Sequence, residues 1–174
     1  MASQIETPEY QLLEKHGQFE IRLYEPMIIA MTNINSNYRE STYTGFRRIA
    51  NYIFGGNDQN IEIAMTAPVI SSSPVNNDGI YDVAFVMPKK NSLSNLPEPN
   101  YDNIIIKEKN LGKMAVLRFG GWATEEKVIK YQKKLEKILI ENRYTITGNF
   151  MVAQYNSPWA LPPFRRNEIM APIE

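Results

Sequence analysis

Apolar positions along the chain follow two rhythms: a helical period in two stretches and simple alternation in most of the rest. In "STYTGFRRIANYIFGGN", Phe46, Ile49, Ala50, Ile53 and Phe54 recur at the spacing of one buried helical stripe. Ser41 or Thr42 offers an N-cap, and Gly55-Gly56-Asn57 supplies a stop. A second helix is predicted from Thr124, with Glu125 and Glu126 at the positive end of its dipole. Val128, Tyr131, Leu135 and Ile138 form its apolar stripe, and the lysines around them read as a solvated face.

Strand patterns fill most of the remainder. "QFEIRLYE" alternates Phe19, Ile21 and Leu23 with polar neighbours, and "MIIAMTNI" follows the break at Pro26. "IYDVAFVMP" places Tyr81, Val83, Phe85 and Met87 on one face, after the turn signal Asn77-Asp78-Gly79. "NIIIKE", "KMAVLRFGG" and "NFMVAQYN" complete the set. "IEIAMTAPVI" starts as a strand, but Pro68 removes a ladder donor and should end the pairing there. Met65 and Val69 are then expected as core or cleft wall. The stretch from Pro88 to Asn103 has the composition of a long surface loop.

These pieces repeat. Gly56-Asn57 recurs as Gly148-Asn149, each pair following a helix, and the strand after each runs into a proline, Pro68 or Pro158. Two strand–strand–helix–strand units sharing one sheet would explain the order, with halves at 10–87 and 103–173 in a single domain spanning 1–174. That predicts an α+β fold: a curved, antiparallel or mixed sheet with both helices packed on it. A cleft between helix and sheet, or between the halves, is the expected ligand site.

Composition narrows the function. Nineteen basic and nineteen acidic side chains cancel, which argues against a general nucleic-acid binder. The absence of cysteine excludes disulfides, thiolate metal ligands and cysteine nucleophiles. "MASQIETPEY" has no signal-peptide core, and no apolar run reaches the roughly 20 residues of a membrane helix. A soluble, cytoplasmic monomer is expected, or an organellar one if a leader has been removed. There is no G-x-S-x-G, P-loop, G-x-G-x-x-G or H-E-x-x-H, so no catalytic constellation is visible and an enzyme is disfavoured. The single histidine, His16, reads as a surface residue in a turn.

"QYNSPWALPPFRRNEIMAPI" carries the strongest hint of a ligand. Tyr155, Trp159, Leu161 and Phe164 stand between Pro158, Pro162 and Pro163, which hold the segment extended at little entropic cost. Such a strip suits a flat apolar ligand, and Arg165 and Arg166 beside it suit carboxylates. A rigid edge whose aromatics cap the core is an equal reading, and a partner peptide could use the same strip.

"FEIRLYEP", "NYIFGGN", "IEIAMTAPV" and "YNSPWALPPFRRNEI", in this order and spacing, resemble the SOUL haem-binding family over about Tyr10 to Ile173. The resemblance implies a distorted barrel-like sheet with two helices and pseudo-two-fold symmetry, akin to the effector-binding domains of some bacterial regulators. It also implies non-covalent binding of haem or another tetrapyrrole such as protoporphyrin, in a buffering or carrier role. The site it implies is a shallow apolar cleft between the first helix and the loop after the last-but-one strand. By position this points to Phe46, Arg47, Ala50 and Asn51 on the helix, and Tyr155, Trp159 and Leu161 on the loop. Arg47, Arg48 or Arg165 is left to meet the propionates, since Asn51 stands at one position where relatives carry a basic residue. Some relatives place a histidine where this chain has Leu23, so axial ligation of that type is excluded. Tyr, Met or His16 remain as alternatives, as does binding without a protein ligand.

Overall fold

The computed structural model describes residues 4–75, 77–156 and 160–174. In chain order its elements are β1 (Tyr10–His16), β2 (Phe19–Tyr24), β3 (Met27–Asn35), α1 (Tyr38–Ile53), β4 (Val69–Ser72) and β5 (Ile80–Val86). They continue with β6 (Ile105–Lys109), β7 (Lys113–Phe119), α2 (Glu125–Glu141), β8 (Met151–Gln154), a 3-10 turn at Pro162–Phe164 and β9 (Asn167–Pro172). All nine strands join one antiparallel sheet in the order β1-β2-β7-β9-β8-β4-β5-β3-β6. Apart from the extra outer strand β1, that order is symmetric about the β8–β4 pair. On one side β7, β9 and β8 follow each other, with α2 leaving from β7; on the other β3, β5 and β4 do so, with α1 leaving from β3.

Alternation along each strand divides the core between two faces. On one face, Ile21, Ala115, Leu117, Val152, Ile169 and Ala171 pack under α2, and Ala30, Ile34, Val83 and Phe85 pack under α1. The intervening residues point the other way and form a third cluster with no helix over it: Tyr24, Ile29, Ile70, Ala84, Val86, Met114, Val116, Ala153 and Met170. Tyr24 on β2 and Ile29 on β3 belong to this one cluster, although their strands stand second and eighth in the sheet. Met114 of β7 also lines one cavity on this face with Ile29 of β3 and Lys107 of β6, which stand third, eighth and ninth in the sheet, and a flat sheet could not bring these together. The helix-free face is therefore concave, and the sheet is a curled half-barrel with β1 and β6 as its outer strands.

Helix α2 starts where Thr124 predicts, its side chain accepting from the Lys127 N–H at 3.3 Å. Helix α1 starts a turn earlier than Ser41 or Thr42 suggests. Asn37, with extended backbone, accepts the Glu40 N–H at 2.9 Å, and Thr42 instead donates to the Tyr38 carbonyl inside the helix. The stripe is rotated accordingly: Tyr38, Ser41, Gly45, Ile49, Tyr52 and Ile53 are buried, while Phe54 lies outside at the C-cap. Gly45 sets that rotation, because a Cβ there would stand 2.5 Å from Val83 Cβ. The chain then turns at Gly55 (φ +107°), a backbone only glycine adopts freely.

Residues 61–68 correct the expected strand. They form only isolated bridges, Glu62 with Phe54 and Thr66 with Glu6, and the pleated strand begins after Pro68. Proline, lacking an N–H, precedes the ladder instead of interrupting it. Met65 is exposed, whereas Val69 packs in the α1-side cluster. The segment between β5 and β6 is anchored across the end of α1: Leu96 is buried there, and the Tyr52 hydroxyl donates to the Pro97 carbonyl at 2.7 Å.

Candidate functional site

The two flanks of α1 differ in what they face. With 3.6 residues per turn, the half-buried Phe46 and Ala50 share one flank and Arg48 lies on the other. Arg48 Nη1 donates to Thr32 Oγ1 and to the Asn33 carbonyl, both on β3. The Phe46 flank is therefore directed inward across the sheet, toward β5 and β4. Phe46 meets Phe85 with ring centroids 5.4 Å apart and shares its cluster with Val69 at the start of β4. Val69 is paired with Gln154, the last residue of β8, and the next segment of chain springs from there.

That segment is closed at its base and open at its tip. Tyr155 N–H donates to the Arg166 carbonyl at 3.1 Å, and Arg166 N–H donates to Asn156 Oδ1. At the tip, Leu161 and Phe164 bracket the 3-10 turn and are 65% and 75% exposed. Trp122, on the connection between β7 and α2, is 50% exposed. The Arg165 guanidinium lies 4.3 Å from the Trp122 ring centroid, and Nη1 donates to the Ala160 carbonyl at 3.0 Å. The same connection touches α1, since the Tyr38 hydroxyl donates to the Ala123 carbonyl at 3.4 Å. Tyr43 and Arg47 stand one turn apart on the exposed side of α1, the guanidinium 5.5 Å from the ring. Trp122, Leu161 and Phe164, with Arg165 beneath the Trp122 ring, thus form an apolar rim along the β7–α2 connection and residues 160–166, on the side of the sheet that carries α1.

The sequence-derived residues separate within this frame. Phe46 and Ala50 share the inward flank, with Arg47 beside it. Asn51 is exposed and turned toward the helix end, its carbonyl accepting the Gly56 N–H at 2.8 Å. Leu161 lies on the rim, and Trp159 falls outside the described residues. Arg165 is buried and stacked, and burial lowers its pKa. Tyr155 packs through the other face of the sheet, in the helix-free cluster, away from Phe46. Trp122 is a new member of the rim; an exposed aromatic beside Gly120-Gly121 was its only signal.

Tyr155 belongs instead to a buried ionic network. Glu168, on β9, is fully enclosed and accepts from Arg22 through both carboxylate oxygens, each at 2.9 Å. Arg166 Nε and Nη2 reach the same carboxylate at 3.2 and 2.7 Å, and Arg166 lies 4.0 Å over the Tyr155 ring. Arg22 also donates to Glu20 at 2.7 Å and to the Tyr24 hydroxyl at 2.8 Å. Burial pushes the Glu168 carboxyl up, but the hydrogen bonds and charges of Arg22 and Arg166 outweigh it and hold the group below the ordinary value. Burial drives the Tyr155 phenol well above its usual range and the Tyr24 phenol up to about 12.

The sequence matches the family described as "SOUL heme-binding protein" over residues 5–172. The chain belongs to that family. Among its relatives, human "Heme-binding protein 2" is 28% identical over 97% of this chain and 86% of its own length. "Heme-binding protein 1" of Xenopus laevis is 29% identical over 90% and 84%. This SOUL protein also shares its fold with the EcmrR C-terminal domain, at a TM-score of 0.68 and 13% identity over 95% and 98% of the two chains. A Listeria innocua protein described as a hydrolase aligns at 0.63 with 8% identity over 93% and 94%. Likeness at that identity concerns the fold alone. The family points to binding rather than catalysis. Among the described residues no group of three or more His, Cys, Asp or Glu gathers to hold a metal, and no helix is long and apolar enough to cross a membrane.

Proposed function

We propose that this SOUL protein binds haem or a related tetrapyrrole non-covalently, as a buffer or carrier, at the rim along the β7–α2 connection and residues 160–166. The observation that carries the reading is the exposure of Trp122, Leu161 and Phe164 together, with Arg165 stacked on the Trp122 ring, in a chain of this family. A flat macrocycle covering them would remove apolar surface from water, and fully burying one large side chain is worth roughly 1.5–3 kcal/mol. Bound there, the tetrapyrrole would supply only its own redox and light-absorbing chemistry; the protein binds and orients it. Arg47 is exposed and suited to a propionate, whereas Arg165 acts from beneath by fixing the Trp122 face. His16 contacts Glu14 and Phe19, and Leu23 is an exposed aliphatic on β2, so neither is offered as an axial ligand.

A Soret titration with haem and protoporphyrin tests this. Saturable binding is expected, weakened about tenfold or more by Trp122→Ala combined with Phe164→Ser. Absence of a saturable spectral change at micromolar ligand would refute the proposal.

A further inference from the structure

A separate cavity of about 610 Å³ opens on the helix-free face of the sheet, opposite to the one that carries the rim. Ile29, Ile70, Ala84, Leu111 and Met114 form its buried floor, and Met27, Met31 and Met151 its half-buried walls. Its size falls within the roughly 300–1,000 Å³ of ordinary small-molecule sites. Methionine has three rotatable bonds and a polarizable thioether, so four of them around one cavity make a lining that adapts to a flexible apolar body.

The mouth is polar, and its charges are unequally engaged. Asp82 accepts from Asn33 Nδ2, and Asp78 accepts the Ile80 N–H at 3.2 Å, so both carboxylates serve their own turn and strand. Lys107 and Lys109, on β6, point to the same face as Ile29 and Met27, their partners in the ladder. Neither lysine has an ion pair among the described residues. An apolar floor beneath two uncommitted ammonium groups is complementary to one class of ligand.

We propose that this cavity is a second binding site, distinct from the rim, for a free long-chain monocarboxylate whose tail enters among the methionines and whose head pairs with Lys107 and Lys109. The buried network and the cavity share the concave face but not the same end. Glu168 and Pro172 are four residues apart on β9, about 13 Å at the rise of a strand. Arg22 and Arg166 are consequently spent on Glu168, and the lysines are left to receive the anion.

The full chain titrated with cis-parinaric acid tests this by fluorescence. Saturable one-to-one enhancement is expected. Lys107→Gln with Lys109→Gln should raise the Kd about tenfold, and a primary alcohol of equal chain length should compete about tenfold less well than the carboxylate. Both lysines are exposed, so their replacement leaves the fold intact, to be verified by circular dichroism. Met31→Trp, filling the cavity, should also weaken binding, whereas Phe164→Ser on the rim should not. Non-saturable fluorescence, an unchanged Kd in the lysine variant, or equal competition by the alcohol would overturn the proposal. Stoichiometric displacement of parinarate by haem, with both ligands lost in Phe164→Ser, would overturn the independence of the two sites.

Discussion

Glu168→Gln is the most informative single change to the fold. It keeps the shape of the side chain but removes the charge on which Arg22 and Arg166 converge. Removing one partner of a buried ion pair costs about 3–5 kcal/mol, because the remaining charge is stranded away from water. Here Arg22 is 3% exposed, but Glu20 stays within 2.7 Å of it and Arg166 can turn partly to solvent. The low end of the range, about 3 kcal/mol, is therefore expected. At about 2–4 °C per kcal/mol for a chain of this size, the melting temperature should fall by about 6–12 °C. Urea unfolding followed by far-UV circular dichroism at pH 7 gives the free-energy difference directly. A loss below about 1 kcal/mol would refute the argument that the network stabilises the concave face.

The same group predicts the sign of an acid effect. Its folded pKa lies below the ordinary glutamate value of 4.5. Its contribution is therefore fully present above that value and lost as the pH falls through the depressed one. The stability difference between wild type and Glu168→Gln should be flat from pH 7 to about 5 and shrink below that. A gap that widened on acidification would contradict it.

Other expectations are more local. Gly45→Ala should drive a methyl into Val83 and Ile34 and cost about 1–3 kcal/mol, read as a lowered urea midpoint. Asn37→Ala removes the α1 cap and should cost about 1 kcal/mol, while Ser36→Ala should have little effect in the same assay. His16→Ala should leave the haem Soret titration unchanged, and a large shift would place the ligand near the β1–β2 turn instead of the rim.

The sequence pattern was sufficient for elements whose outward and inward residues differ in kind. Tyr81, Val83, Phe85 and Met87 share one buried face as the pattern places them, with Ile80 and Asp82 exposed on the other before Ala84 and Val86 are buried there, and α2 has its lysines and cap where the pattern places them. Helix α1 was shifted because its closest contact is a glycine, which contributes no apolar signal. Strand β9 was hidden by its own chemistry: "NEIMAP" contains a glutamate that reads as solvent-facing but is enclosed between Arg166, two residues before it, and Arg22, distant in sequence. Strand β1 was equally obscure, since all seven of its residues are exposed and no buried stripe marks it. At the rim, the aromatic strip after Pro158 was visible as composition. The partition of Arg165 and Arg166 to opposite faces was not, because it depends on the pleat entering β9.

The half-barrel leaves β1 and β6 at its two ends, and a strand with no neighbour on one side exposes backbone donors and acceptors that another molecule can copy. Both margins are poorly suited to that. β1 carries Glu14, Lys15 and His16 and breaks register between Leu12 and Glu14, while β6 ends in Lys107, Glu108 and Lys109. A second chain laid alongside either margin would have to match these charges and, along β1, an irregular spacing. The open curl thus keeps its concave face accessible without making its borders templates for fibrous stacking.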